Sequence, residues 1–100
     1  MKTIKVKTWT EIPKNYTGIV ETYDGDKYWY LNGKYHRIDG PAAEHANGDK
    51  WWYLNDEHHR VDGPAIENAD GGKSYFINGE EVTKEAQEVL YAMYKLKGLL

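Results

Sequence analysis

The chain has no cysteine. That absence excludes a disulfide framework and any thiolate-based zinc site, so stability has to come from packing. It has three prolines, one phenylalanine and two methionines in 100 residues, and no run approaches the roughly 18 apolar residues of a membrane span. Charge of one sign is also scarce. Thirteen basic against 16 acidic residues leave a net charge of −3, too small to steer the chain toward nucleic acid or to mimic it. Residues 1–7 alternate polar and apolar side chains instead of forming the apolar core of a signal sequence. A cytoplasmic protein without a membrane span is expected. No glycine-rich phosphate loop, nucleophile elbow or His-Glu-x-x-His motif is found, and no cofactor is implied.

What the chain does have is aromatic residues, nine Tyr and four Trp, and a repeat. Aligned without a gap, Tyr28–Lys50 and Trp51–Lys73 share 14 of 23 positions. Partial units flank them, with Glu21, Gly25 and Lys27 in phase with Glu44, Gly48 and Lys50, and Tyr75-Phe76-Ile77-Asn78-Gly79 repeating the strand and turn. A fixed period of this length signals an array in which each unit is stabilised by its neighbours. The segments Tyr28–Leu31, Trp51–Leu54 and Ser74–Ile77 suit a pleated surface. Each ends in a turn signal, Asn32-Gly33, Asn55-Asp56 or Asn78-Gly79. The fold class is therefore mainly β: a single elongated antiparallel meander of tandem hairpins, with equivalent residues stacked in columns about 10 Å apart, two strand spacings.

One domain is expected over 1–100: an N-terminal strand and lead-in over 1–16, repeats over 17–82 with full units at 28–50 and 51–73, and a C-terminal helix over 83–97. Thr83 stands at an N-cap, acids come early and lysines late, and Ala86, Val89, Leu90, Met93 and Leu96 or Lys97 recur at helical spacing. That apolar stripe is expected to pack on the last hairpin. Lys2, Lys5 and Lys7 on the first strand suit an exposed sheet edge.

The unit resembles a MORN repeat in Leu31-Asn32-Gly33-Lys34-Tyr35-His36 and in Asn47-Gly48-Asp49-Lys50. It departs where that family has His-Gly-x-Gly, carrying instead His36-Arg37-Ile38-Asp39-Gly40-Pro41 and His59-Arg60-Val61-Asp62-Gly63-Pro64. In this it is similar to the MORN-like variant of small bacteriophage proteins, as are Ile12-Pro13-Lys14-Asn15-Tyr16-Thr17-Gly18 and the stretch from Asn78 to Thr83. The resemblance implies a hairpin sheet, phage origin and a role in binding proteins or lipid headgroups, with no shared catalytic residues.

The candidate binding residues are Tyr28, Tyr30, Trp51 and Tyr53, expected to form an aromatic strip on the face opposite Trp29 and Trp52, and the cationic set His36, Arg37, His58, His59 and Arg60. Interfaces favour Tyr, Trp and Arg, and paired cations could hold phosphate or an acidic partner. The structural alternative is that Arg37 pairs with Asp39 or Glu44, and Arg60 with Asp62 or Glu67, within each repeat. Equivalent histidines about 10 Å apart cannot share a zinc ion, and the glutamate column (Glu21, Glu44, Glu67) has the same spacing, too wide for a glycosidase pair. No metal and no catalytic residue is expected. The resulting reading is a non-enzymatic module that binds a host protein through one sheet face. Alternatives are a binder of a nucleotide or other small anionic ligand, and a self-associating virion component, a homo-oligomer. The units differ at Gly33-Lys34-Tyr35 against Asp56-Glu57-His58, and at His45 against Asn68, so function is expected to lie there or in the bare aromatic column.

Overall fold

A computed structural model describes residues 1–98 as eleven strands and one helix. The strands are β1 Thr3–Val6, β2 Gly18–Thr22, β3 Lys27–Leu31, β4 Lys34–Tyr35, β5 Ala43–Glu44, β6 Lys50–Trp51, β7 Tyr53–Leu54, β8 Glu57–His58, β9 Ile66–Glu67, β10 Lys73–Ile77 and β11 Glu80–Val82, and the helix is α1, Lys84–Leu96. The main sheet runs β1-β2-β3-β5-β6-β9-β10-β11, with β4 also on β3, while β7 and β8 form a separate pair. It does not close into a barrel, and the molecule measures 42 × 30 × 20 Å.

The hairpin turns follow from the sequence. Asn32 and Gly33 have φ of 50° and 82°, and Asn78 and Gly79 have 51° and 82°, the two left-handed residues that a twisted two-residue hairpin needs. In the second unit Asp56 takes the glycine's place at φ 68°. The preceding unit holds Asp56 in this conformation: its carboxylate accepts the Tyr35 N–H at 2.6 Å while its own N–H donates to Tyr35 O at 2.9 Å.

Each unit has one device beyond a plain hairpin. Tyr30 pairs with Tyr35 and Tyr28 with Ala43, so the returning chain leaves the ladder after Tyr35 and rejoins it at Ala43. Trp29 closes the excursion from both sides: its carbonyl accepts His36 N–H and its N–H donates to Ala42 O. Trp52, between His59 and Ala65, does the same. Pro41 and Pro64 lie in these excursions, where no ladder donor is lost. Arg37 N–H reaches Tyr53 O and Arg60 N–H reaches Phe76 O, so each excursion bonds to the next unit.

The expected all-antiparallel sheet is corrected at one edge. β1 pairs with β2 in parallel, Thr3 opposite Ile19 through Val6 opposite Thr22, and the sheet is mixed. Residues 7–17 make the crossover that a parallel pair requires, through a 3₁₀ turn at Trp9–Glu11. That crossover brings Ile12 and Tyr16 over the sheet, where Val6, Tyr16, Val20, Tyr28 and Ala43 form the buried core.

The helix expectation is corrected too. Thr83 caps α1 by accepting Ala86 N–H at 3.0 Å, but Val89, Met93 and Leu96 are exposed. The face turned to the protein carries Gln87, Leu90, Tyr91 and Tyr94. The reason is a polar anchor: Gln87, buried, donates from Nε2 to Arg60 O at 2.7 Å and to Gly63 O. Satisfying two loop carbonyls outweighs burying the more apolar stripe, which lies about one residue around the wheel.

Candidate functional site

The rings of the tyrosine face pack on one another along the sheet, buried at Tyr28 and half-buried beyond it. Tyr28 stacks on Tyr35 at 5.5 Å between ring centroids; Tyr35 meets Tyr30 at 5.1 Å and Tyr53 at 5.2 Å. The ladder runs on through His58, stacked on Tyr53 at 4.1 Å, to Phe76 at 5.1 Å. At the other end Trp9 sits edge-on to Tyr28 and Tyr16 edge-on to Tyr30. Pairs of this kind contribute about 0.5–1.5 kcal/mol each beyond area burial. Burial raises the pKa of the Tyr28, Tyr30 and Tyr53 hydroxyls. The bare strip expected at Tyr28, Tyr30, Trp51 and Tyr53 is thus corrected: Tyr28 is buried and the others half-buried, because consecutive rings at ladder spacing pack on each other. Trp51 also packs edge-on against His45 at 4.2 Å and donates Nε1–H to Asn68 at 3.3 Å. His45 in turn lies 3.4 Å from Asp26, whose carboxyl is held below its usual pKa, first by the Ala46 N–H it accepts and then by His45.

The opposite face carries the cationic residues, and they repeat. Arg37 lays its guanidinium 4.0 Å from the centroid of Trp29; Nε donates to Asp39 at 3.0 Å and Nη1 to Pro41 O at 3.1 Å and Glu44 at 3.3 Å. Arg60 does the same with Trp52 (4.0 Å), Asp62 (3.0 Å), Pro64 O (3.1 Å) and Glu67 (3.4 Å). The glycine of each motif is there for space: a Cβ on Gly40 would lie 2.9 Å from the Arg37 guanidinium carbon, and one on Gly63 would lie 2.8 Å from that of Arg60. Each arginine is a clamp that holds its excursion against its tryptophan by charge-assisted bonds and ring contact. Both side chains are about one-fifth exposed and committed within their own unit.

The histidines divide between the faces. His36 and His59 accept the backbone N–H of Asn55 and Asn78 on Nδ1, at 3.1 and 2.9 Å, tying each clamp to the next turn. His58 belongs to the ring ladder. Burial lowers the pKa of His58 and His59 below the ordinary histidine value. Among the described residues no three His, Cys, Asp or Glu side chains are placed to hold a metal ion, and no helix is long and apolar enough to cross a membrane.

Between the two clamps lies an open groove of about 960 Å³. Its floor is Trp52 and Leu54, one wall is the excursion Arg37–Pro41, and the other is formed by His59–Asp62 with Tyr94 of α1. Ile38 projects from its wall 86% exposed, while Val61 at the equivalent position is half-buried. Arg37, His59 and Arg60 of the sequence-derived candidates line this groove; Tyr28, Tyr30, Trp51, Tyr53 and His58 do not. Ile38, Leu54, Tyr94 and Gln87 were not among them. Two signals pointed that way: an apolar residue between Arg and Asp in an otherwise polar motif, and a glutamine inside an amphipathic helix. Compared with protein-family models, curated proteins and solved structures, the chain matches none.

Proposed function

We propose that this chain is a non-enzymatic protein-binding module, a MORN-like repeat protein encoded by a phage and working in the host cytoplasm on a host protein, for example as an inhibitor of an antiviral defence. Binding uses the clamp face of the sheet, at the groove between the two excursions. The observation that carries the reading is the exposure of Ile38 on the wall of a groove floored by Trp52 and Leu54, a large apolar side chain held out by a loop that the Arg37 side chain pins to the sheet. An aromatic floor with arginine and histidine at its edge has the composition of a protein interface. The arginines are spent on internal bonds, which favours a protein over a small anionic ligand.

The test is capture from host lysate by the tagged protein beside its Ile38→Glu variant. A stoichiometric protein retained by the parent and lost from the variant supports the reading. Recovery of no such protein, or equal recovery by both, overturns it.

A further inference from the structure

The two clamps are equivalent, but only one is capped. Gln87 of α1 donates to the carbonyls of Arg60 and Gly63. The equivalent carbonyls one repeat earlier, those of Arg37 and Gly40, accept no hydrogen bond among the described residues. The bed of α1 is repeated as well. α1 lies against β10, which ends in Tyr75, Phe76 and the buried Ile77; shifted by one unit, Tyr75 and Ile77 become Trp52 and Leu54, the floor of the open groove. Val61, between the two capped carbonyls, is half-buried, and its counterpart Ile38 stands in solvent.

From this repetition we infer that the open groove is a seat for an α-helix of the partner protein, one that presents a carboxamide side chain to Arg37 O and Gly40 O as Gln87 does to Arg60 O and Gly63 O. The inference rests on the protein-binding reading and specifies its partner. Spacing supports it: successive units repeat at about 10 Å, two strand separations, and packed helices lie about 8–10 Å apart. A helix in the first seat would lie beside α1 and pack against Tyr94, already part of the groove wall. The carboxamide is the fitting donor because both sites offer only acceptors at that point, and an amide nitrogen brings two N–H groups without a charge to bury. Asp39 and Asp62 at the rim are already paired with Arg37 and Arg60, so the partner helix is selected by its amide and its apolar face and not by charge.

The molecule supplies its own probe. A peptide with the sequence of residues 83–98, held helical by a staple across positions 88 and 92, both solvent-facing in α1, is titrated into the isotopically labelled full chain and followed by amide chemical shifts. Saturable shifts at Ile38, Gly40 and Leu54 are expected. They should weaken about tenfold or more with the Gln87→Leu peptide and vanish in the Ile38→Glu protein, whose own thermal unfolding stays unchanged. Absence of shifts up to millimolar peptide, equal binding of the two peptides, or shifts at Val61 and Gly63, which report exchange with the chain's own helix, would each overturn the inference. So would light scattering showing that a second copy of the chain fills the seat and leaves it on Ile38→Glu. If the peptide fails while lysate capture still depends on Ile38, the protein-binding reading stands and the carboxamide helix falls. If both fail, both are wrong.

Discussion

The first and second repeat units share most of their side chains and every bond of the arginine clamp, yet one ends under a helix and the other in solvent. The difference is not in the repeated motif. It comes from what lies beyond the array at each end. After the last hairpin the chain continues as α1 and returns over the second clamp, whereas before the first it continues as the crossover that carries Tyr16 across the tyrosine face. The two ends are therefore covered on opposite faces, and the clamp face of the first unit is left open. A repeat protein of two full units has no interior unit to average over, so its caps decide which of two equivalent surfaces is available.

The largest effect on this comparison should come from removing the clamps. Arg60→Ala leaves Asp62 and Glu67 without their guanidinium, uncovers Trp52 and loosens the carbonyls that Gln87 holds; a loss of about 3 kcal/mol is expected by chemical denaturation. Arg37→Ala breaks the same internal bonds without a helix above them and should cost less, about 2 kcal/mol. Equal losses would mean that the helix adds nothing to the second clamp.

Gln87→Leu tests the cap alone. It leaves Arg60 O and Gly63 O without their donor and should cost about 2 kcal/mol, with early loss of the helical circular-dichroism signal and no change in the first unit's amide shifts. If the variant instead becomes more stable, the apolar stripe of α1 has rotated inward and the polar anchor is not what orients the helix.

A smaller effect should separate the units by pH. His58 stands where the first unit has Tyr35, and burial depresses the pKa of both His58 and His59. A histidine kept neutral in the folded state binds its proton more readily once unfolded. Its contribution is complete above the ordinary pKa of about 6.5 and is lost as pH falls from there toward the folded-state value. Melting temperature should therefore drop between about pH 7 and 5. His58→Tyr, which restores the first unit's ring, should flatten that drop by removing one of the two groups, while His59→Gln keeps a hydrogen-bond acceptor for Asn78 N–H and removes the other. A pH profile unchanged in both variants would place the titration elsewhere.

Much of this architecture could be read along the chain because its causes are local. The Asn-Gly turns need left-handed backbone, the 23-residue phase forces equivalent residues into columns, and Arg37 finds Asp39 and Glu44 two and seven residues further along its own unit, within the excursion and at its return to the ladder. The tyrosine columns were legible as columns but not as a core, since whether a ring faces water or another ring depends on the crossover that brings Trp9, Ile12 and Tyr16 over them. The parallel edge was hidden for the same reason: strand direction is set by a connection, not by the strand's own pattern. Helical periodicity in 84–96 located α1 correctly but placed its buried face one residue away, because the periodicity counts apolar side chains and cannot see two unpaired carbonyls waiting on a loop.

The repeat, its turns, the pairing of each arginine with its carboxylates and the existence of the terminal helix were written in the sequence, since each rests on residues within one period of one another. Which face became core, which way α1 turned, and which of two nearly identical clamps stayed open emerged from contacts between distant parts of the chain. Those outcomes depend on burial and on pairing backbone carbonyls across 24 to 27 residues, as Gln87 does with Gly63 and Arg60, and local sequence marks the pairing only by a glutamine within an amphipathic helix, without naming its partners.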